Sequence, residues 1–421
     1  MIRAGMRCLD DFDIRPHIAI LDPSAFTVPY DDHLCRALDA AGVRVSLWMR
    51  PARRVDYFVG GGNGHPRAYE TVEHFYRMTE RSDWLAGRPR LKGGLKAGEH
   101  VWNMVGLCRR LRRWRPQAIH FQWSVLPAVD RRFLNRLRRV APCLLTVHDA
   151  NAFLAPSSRL QSTGWRTILG QFDHLIVHTR SGRDALLAKG IDADRVSVVP
   201  HGVFDLPERA HTRQPAPKPD GRLRLLSFGS IKPYKGLDVV IRALAALPEA
   251  MRDRVRLTIA GSAGELAEPL QRLAEQLQVD AMIEWRLGFI PEDDVPRLFH
   301  DADAAVFPYR EIDASGALMT ALPYGRAIIA SRLGLFAELL EDGYSAMLVE
   351  PENPIALADA IRHLIEDPDL CRDMGARAAA TAKDVYSWDR IARMTLDAYR
   401  AAGCRIPPVE ELTPALGTTA R

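Results

Sequence analysis

Two lysines in one tight turn give this chain its clearest chemistry. In Phe228-Gly229-Ser230-Ile231-Lys232-Pro233-Tyr234-Lys235-Gly236 an apolar strand, Leu223 to Phe228, runs into a glycine turn and opens directly onto a helix. Backbone N–H groups at a helix start, the positive end of its dipole and a nearby ammonium all favour an anion, above all a phosphate. A single turn of this kind is also what an ordinary strand-to-helix connection with solvated lysines looks like. The second half of the pattern lies downstream, where Ser315-Gly316 opens another helix and offers a second N-terminus. Two such N-termini together with Lys235 suit a diphosphate.

Such turns need strands to carry them, and short branched apolar runs alternate with helical periodicity from end to end. In the first half the strand-like runs begin at His17, Val43, Ala118, Cys143, His174 and Val196; after residue 222 they begin at Leu223, Val255, Met282, Ala304, Ala327 and Ala346. Parallel strands joined by crossover helices follow from that alternation. Between the two series, Leu206 to Gly221 is polar and holds four prolines, which reads as a linker over 205–221 between domains at 1–204 and 222–385. The expected class is α/β, two doubly wound Rossmann-like domains in tandem. In such sheets ligands bind beyond the carboxyl ends of the strands. There the second half places Gly229–Gly236, Gly261–Gly264, Gly288-Phe289-Ile290, Tyr309 to Gly316 with Glu311 and Asp313, and Arg332 to Gly334, and the first half Asp22, His120, Gln122, His148, Asp149 and His178. His120 and His178 read first as hydrogen-bonded structural residues.

Composition narrows the class further. At 421 residues, 47% apolar and 26% charged, the chain has the make-up of a globular protein too long for one core. No stretch of about 18 apolar residues occurs, and the opening residues lack a basic segment followed by an apolar run and a small-residue cleavage site, so neither membrane spanning nor secretion is expected. Six cysteines lie scattered without a C-x-x-C pair, which fits a reducing cytoplasm and neither a disulfide framework nor structural zinc. The net charge of +5 is unevenly spread, with 31 Lys and Arg against 19 Asp and Glu in residues 1–200. Arg109-Arg-Leu-Arg-Arg-Trp-Arg115 and Arg131-Arg-Phe-Leu-Asn-Arg-Leu-Arg-Arg139 interleave arginine with apolar residues at helical spacing. Such faces fit an anionic membrane surface or plain solvent. Nucleic acid is not an expected partner, because no recognition helix, RNP-like strand or zinc finger accompanies the arginines.

The order Phe228 to Gly236, Leu257-Thr-Ile-Ala-Gly261, Leu287-Gly-Phe-Ile290, Phe299 to Tyr309, Ser315-Gly316 and Ala321-Leu-Pro-Tyr-Gly325 to Ser331 resembles the C-terminal domain of family-4 retaining glycosyltransferases with the GT-B fold. Val198 to Val203 resembles that family's segment before the linker, and Tyr386-Ser-Trp388 its closing helix, placed at 386–404, before a frayed tail at 405–421. The resemblance spans roughly residues 115 to 402. It implies two domains facing across a cleft, and a sugar moved from a nucleotide-diphosphate donor to a glycan or lipid-linked acceptor by front-face displacement. It further implies that Lys235 with Lys232 holds the diphosphate and that Gly229, Ser230, Ser315 and Gly316 bind phosphate. Gly261 and Phe289 would lie near the base, Glu338 beside the nucleotide pocket, and His148 near the donor sugar. With lysines neutralising the diphosphate, neither metal nor cofactor is expected.

Departures from the family pattern are equally specific. Of two glutamates about seven residues apart, Thr320 takes the second place, where ribose would be read, and the first is displaced to Glu311 or Asp313. Asp22-Pro-Ser-Ala-Phe-Thr replaces paired glycines after the first strand. Gly60-Gly-Gly-Asn-Gly-His65 lacks the lysine of a P-loop and reads as a loop over the acceptor cleft, and Asp301-Ala-Asp303 reads as structural rather than metal-binding. The expected location is cytoplasmic, peripheral at the inner membrane surface. A catalytically silent nucleotide-sugar binder, an epimerase and an inverting transferase remain as alternatives.

Overall fold

The computed structural model describes residues 15–53, 69–82, 87–150, 164–204 and 221–412. The linker expected at 205–221 lies outside them except for Gly221, and the Gly60–His65 loop lies outside entirely. Among the described residues the first half forms one parallel sheet: β1 (His17–Asp22), β2 (Arg44–Met49), β3 (Glu70–Glu73), β4 (Ala118–Phe121), β5 (Cys143–Val147), β6 (His174–Val177) and β7 (Val196–Val198), ordered β3-β2-β1-β4-β5-β6-β7. The second half forms β8 (Leu223–Phe228), β9 (Val255–Gly261), β10 (Ile283–Leu287), β11 (Ala304–Phe307), β12 (Ala327–Ser331) and β13 (Met347–Val349), ordered β10-β9-β8-β11-β12-β13. Each order reverses direction around its first strand, so both sheets are doubly wound, as the alternation of periods requires.

The central strands are apolar runs because both faces are covered by helices. All six residues of β1 are buried, and so are all five of β12. The short edge strand β3 was not foreseen: its sequence, Glu-Thr-Val-Glu, alternates and buries only Val72 among its four residues.

The chain crosses between halves twice, and Val203, just before the first crossing, lies against Tyr386 and Trp388 at the second. Val203 N–H donates to Tyr386 O at 3.0 Å, and Trp388 Nε1–H donates to Val203 O at 2.6 Å. From there the helix Trp388–Ala401 packs on the first-half helix Val28–Ala40, with Trp388, Ile391, Leu396 and Tyr399 in one buried cluster with Ile18, Leu34 and Leu38. Tyr399 also bonds His120 Nδ1 at 2.8 Å, so His120 is structural. The segment read as a frayed tail from Arg405 is in fact packed as far as Leu412: Ile406 and Leu412 are buried, and Arg400 Nη2 donates to Pro407 O at 2.6 Å. Apolar contacts that join residues this distant in sequence leave no local period to read. Where the crossings meet, a Cβ on Gly202 would stand 2.5 Å from the Trp388 ring. Gly202→Ala should therefore cost about 1–3 kcal/mol by overpacking, read as a lowered thermal midpoint.

Candidate functional site

The loop after β8 is shaped to bury an ammonium. Gly229 N–H donates to Ala260 O and Ile231 N–H to Ser262 O, which ties the turn to the end of β9. A short 3-10 turn, Pro233–Lys235, then brings the lysine under the loop before the helix Leu237–Ala246. Gly236, between them, has φ +63°, and a Cβ there would meet Pro308 O at 2.0 Å. Lys235 is only 7% exposed, with Nζ 5.5 Å from the centre of the Tyr309 ring. Among the described residues no carboxylate pairs with it. Burial first, then Lys232, lowers its pKa to about 8. Lys232 and Ser230 are exposed on the same loop, so the two lysines are not equivalent. Tyr309, beneath the ammonium and two residues past β11, opens the strand-end segment Tyr309 to Gly316 expected on the ligand side, although its place against Lys235 was not foreseen.

The other residues expected on the donor side lie at the carboxyl ends of β9 to β12 or just after them. Ser315 Oγ accepts from Leu318 N at 3.2 Å and so caps the six-residue helix Gly316–Ala321, whose first residue is exposed. Thr320 Oγ1 donates to Gly316 O at 2.9 Å. The loop carrying exposed Phe289 is joined to the end of β9 by Gly288 N–H donating to Gly261 O at 3.0 Å. Glu311 is exposed, whereas Asp313 is buried and accepts from Ala150 N at 2.5 Å. Glu338 accepts from Arg180 N at 2.8 Å and Ser181 N at 2.9 Å, at the start of the helix Arg180–Ala188. Two acidic side chains of the second half thus hold backbone N–H groups of the first, one of them at a helix N-terminus where negative charge is favoured.

Facing them, His148 stands at the carboxyl end of β5. Its ring stacks on Trp123 at 4.9 Å and 15°, and the Tyr30 ring meets it edge-on at 5.1 Å. Its Nδ1 lies 3.0 Å from His178 Nε2 and its Nε2 3.1 Å from Gln122 Oε1. Burial, then His178, His201 and His120, holds its pKa well below the usual imidazole range. The two halves approach here: the Tyr234 hydroxyl, next to Lys235, has its pKa raised by burial and then by the Asp149 carboxylate. Trp123 and Tyr30 carry no signal in sequence beyond their aromatic type.

Comparisons with known proteins agree with this architecture. The profile of "Glycosyl transferase 4-like domain" matches residues 28–202, and that of "Glycosyl transferases group 1" matches residues 208–381. The chain belongs to the family-4, group 1 glycosyltransferases of GT-B type. The transferase is 28% identical over 391 residues to a D-inositol 3-phosphate glycosyltransferase of Arthrobacter sp. (strain FB24), covering 88% of each chain. It is 31% identical over 294 residues to the protein of that name from Mycobacterium tuberculosis, covering 64% of its own length and 59% of the relative's. Sucrose-phosphate synthase from Thermosynechococcus elongatus shares its fold with a TM-score of 0.70 at 19% identity, over 92% of the transferase and 98% of that chain. Anabaena HepE, in complex with UDP and glucose, does so with a TM-score of 0.68 at 18% identity, over 92% and 100%.

Elsewhere on the transferase, Asp303 Oδ2 accepts from Arg224 N at 2.8 Å, a structural part for the Asp301–Asp303 pair. Among the described residues no group of three or more His, Cys, Asp or Glu is placed to hold a metal, and no helix is long and apolar enough to cross a membrane. The arginine runs are partly engaged: Arg138 pairs with Asp173 at 2.6 Å, and Arg110 sits 5.1 Å over the Trp48 ring. Beside them the helix Pro89–Trp114 exposes Leu91, Leu95, Val101 and Trp102, the last 72% exposed.

Proposed function

We propose that the chain is a retaining glycosyltransferase that moves a sugar from a nucleoside diphosphate to a lipid-linked or other glycan-precursor acceptor. The observation that carries this reading is Lys235, a buried ammonium with no carboxylate partner among the described residues, set between glycine turns at the carboxyl ends of parallel strands. A buried charge is costly unless something opposite meets it, and a diphosphate is the charge this loop geometry accepts. As the bond from the sugar to the diphosphate breaks, negative charge grows on the leaving oxygen and Lys235 meets it. The acceptor hydroxyl forms the new bond on the same face of the sugar and passes its proton to the departing phosphate. Lys232 adds charge from the rim, Ser230, Ser315 and Gly316 face phosphate, and Gly261 and Phe289 face the base. His148 faces the sugar, as does Glu311 or Asp313, while Thr320 stands where the ribose would be read and Glu338 borders the nucleotide. The reading needs neither metal nor cofactor, so EDTA should leave turnover unchanged.

The test is a thermal-shift screen with UDP-, GDP-, ADP- and TDP-sugars. A ligand at 100 times its Kd should stabilise the protein by about 2.7 kcal/mol. One nucleotide class should shift the wild type and fail to shift Lys235→Ala; no shift with any of the four would remove the reading. UDP comes first, because HepE was solved with UDP and glucose. Product anomer analysis tests retention: an inverted product would leave the donor site standing and overturn the mechanism.

For the acceptor side, the exposed Leu91, Leu95, Val101 and Trp102 beside Arg109–Arg115 and Arg131–Arg139 support peripheral binding to an anionic membrane at its cytoplasmic surface. Flotation with phosphatidylserine vesicles should be lost in Trp102→Glu and weakened in Arg112→Glu, but little changed in Arg138→Glu, whose arginine already pairs with Asp173. Flotation unchanged in all three would remove the membrane face.

A further inference from the structure

Behind the candidate site, one carbonyl and three side chains form a file of hydrogen bonds that dictates where the protons are. Val199 O lies 3.0 Å from His178 Nδ1, and a carbonyl oxygen only accepts, so His178 Nδ1 carries a proton. The His178 ring is buried, which pushes its pKa down to about 4 and keeps it neutral, so its Nε2 is bare. Opposite that bare nitrogen at 3.0 Å is His148 Nδ1, which must therefore donate. His148 is also kept neutral by its surroundings, so its own Nε2 is left as a lone pair. Facing the lone pair at 3.1 Å is Gln122 Oε1, a second acceptor, while Gln122 Nε2 is a buried donor with no partner among the described residues. A half-turn of the amide removes the repulsion and gives the orphaned donor its acceptor, and the two amide ends are nearly the same shape. The tautomers of both rings and the orientation of the amide then agree along the whole file.

We infer that His178 is a positioning residue: with the Val199 carbonyl it holds His148 as the Nδ1–H tautomer, so that the imidazole presents an unprotonated Nε2. Trp123 stacked on one face and Tyr30 at the edge fix the plane of the ring. A consequence, which rests on the proposed reading of His148, is that the donor sugar is read through a hydroxyl. That hydroxyl replaces the Gln122 amide and donates to Nε2, so His148 acts as a neutral acceptor and not as a cation.

Long-range 1H–15N spectra of protein labelled with 15N-histidine test the tautomer without any ligand, with His148→Gln supplying the assignment. The expected result is a protonated Nδ1 and a bare Nε2 on His148. His178→Phe keeps a ring but no nitrogen and should release His148 to its other tautomer; His178→Gln, whose amide oxygen can still accept, should retain the wild-type pattern. A wild-type His148 protonated at Nε2, or an unchanged tautomer in His178→Phe, overturns the inference. If His178→Phe does not fold, the wild-type spectrum and His178→Gln decide. Kinetics with the nucleotide sugar found in the thermal-shift screen separate the two layers. His178→Phe should lower kcat/KM about tenfold, the worth of one oriented hydrogen bond, and His178→Gln should recover most of it. The expected tautomers with an unmoved kcat/KM would leave His178 as the positioning residue and remove His148 from the sugar site.

Discussion

Replacing Lys235 with methionine should lower sugar transfer by about 100-fold or more while leaving the thermal midpoint unchanged or raised. Activity falls because a preorganised cation at the leaving group is lost, a contact whose removal in closed sites costs about that much. Stability does not fall, because the ammonium is buried without a carboxylate partner among the described residues and methionine fills a similar volume with no charge to desolvate. A pKa lowered from 10.5 to about 8 corresponds to a folded-state penalty on the order of 3 kcal/mol at neutral pH. The sign follows from proton counting: between about pH 8 and 10.5 the unfolded chain holds this proton and the folded chain does not. The group's contribution to stability therefore rises with pH across that window. Diphosphate binding runs the other way. It needs the charged amine, so affinity should hold below pH 8 and weaken by up to about tenfold for each unit above it. Calorimetric titration of UDP at pH 7 and 9.5, with differential scanning of the variant, checks both. A midpoint that drops sharply in Lys235→Met would show that the amine is already paired in the free protein.

Gly261→Ala should cost about 2–4 kcal/mol and abolish the nucleotide-induced thermal shift. Gly261 has φ +148°, where a side chain is strained, and its Cβ would stand 2.2 Å from Gly229 O. Neither side can yield cheaply. Gly229 N–H is tied to Ala260 O on the same strand, and Gly261 O takes the N–H of Gly288. The added methyl therefore pushes apart the turns after β8, β9 and β10, which is where the donor would lie. Gly264→Ala is the control, with φ +55° and open space around it. It should cost about 1 kcal/mol and keep the shift. Equal losses in the two variants would mean that backbone strain, and not the crowding against Gly229, sets the effect.

Much of this was legible in the residues, for physical reasons. Parallel strands covered on both faces must be apolar throughout, so the long runs at His17 and Leu223 announce themselves. Glycines at strand ends mark where backbones approach each other. β3 was not legible, because a short edge strand with one buried side chain has almost no pattern to detect. The packing of Ile406 and Leu412 depends on partners more than 350 residues earlier in the chain. The different surroundings of Lys232 and Lys235, three positions apart on one loop, follow from a single 3-10 turn that no propensity distinguishes. Asp313 and Glu338 looked alike as acidic residues near a nucleotide. Only the fold shows that each already holds a backbone N–H of the opposite half.

The docking of Trp388–Ala401 on Val28–Ala40 orders events during synthesis. The apolar face around Leu34 and Leu38 leaves the ribosome well before Trp388, Ile391, Leu396 and Tyr399, the residues that cover it. The sheet from β8 to β13 is encoded in one uninterrupted stretch and needs no such wait. Domains fold as they emerge, N-terminal ones usually first. Here the order should invert: the half made second is expected to close first, and the half made first to be completed only when Trp388–Ala401 returns to it. Nascent chains cut before Trp388 should accordingly expose a sticky surface that chaperones hold, and deleting Trp388–Ala401 should damage the half that precedes the second sheet.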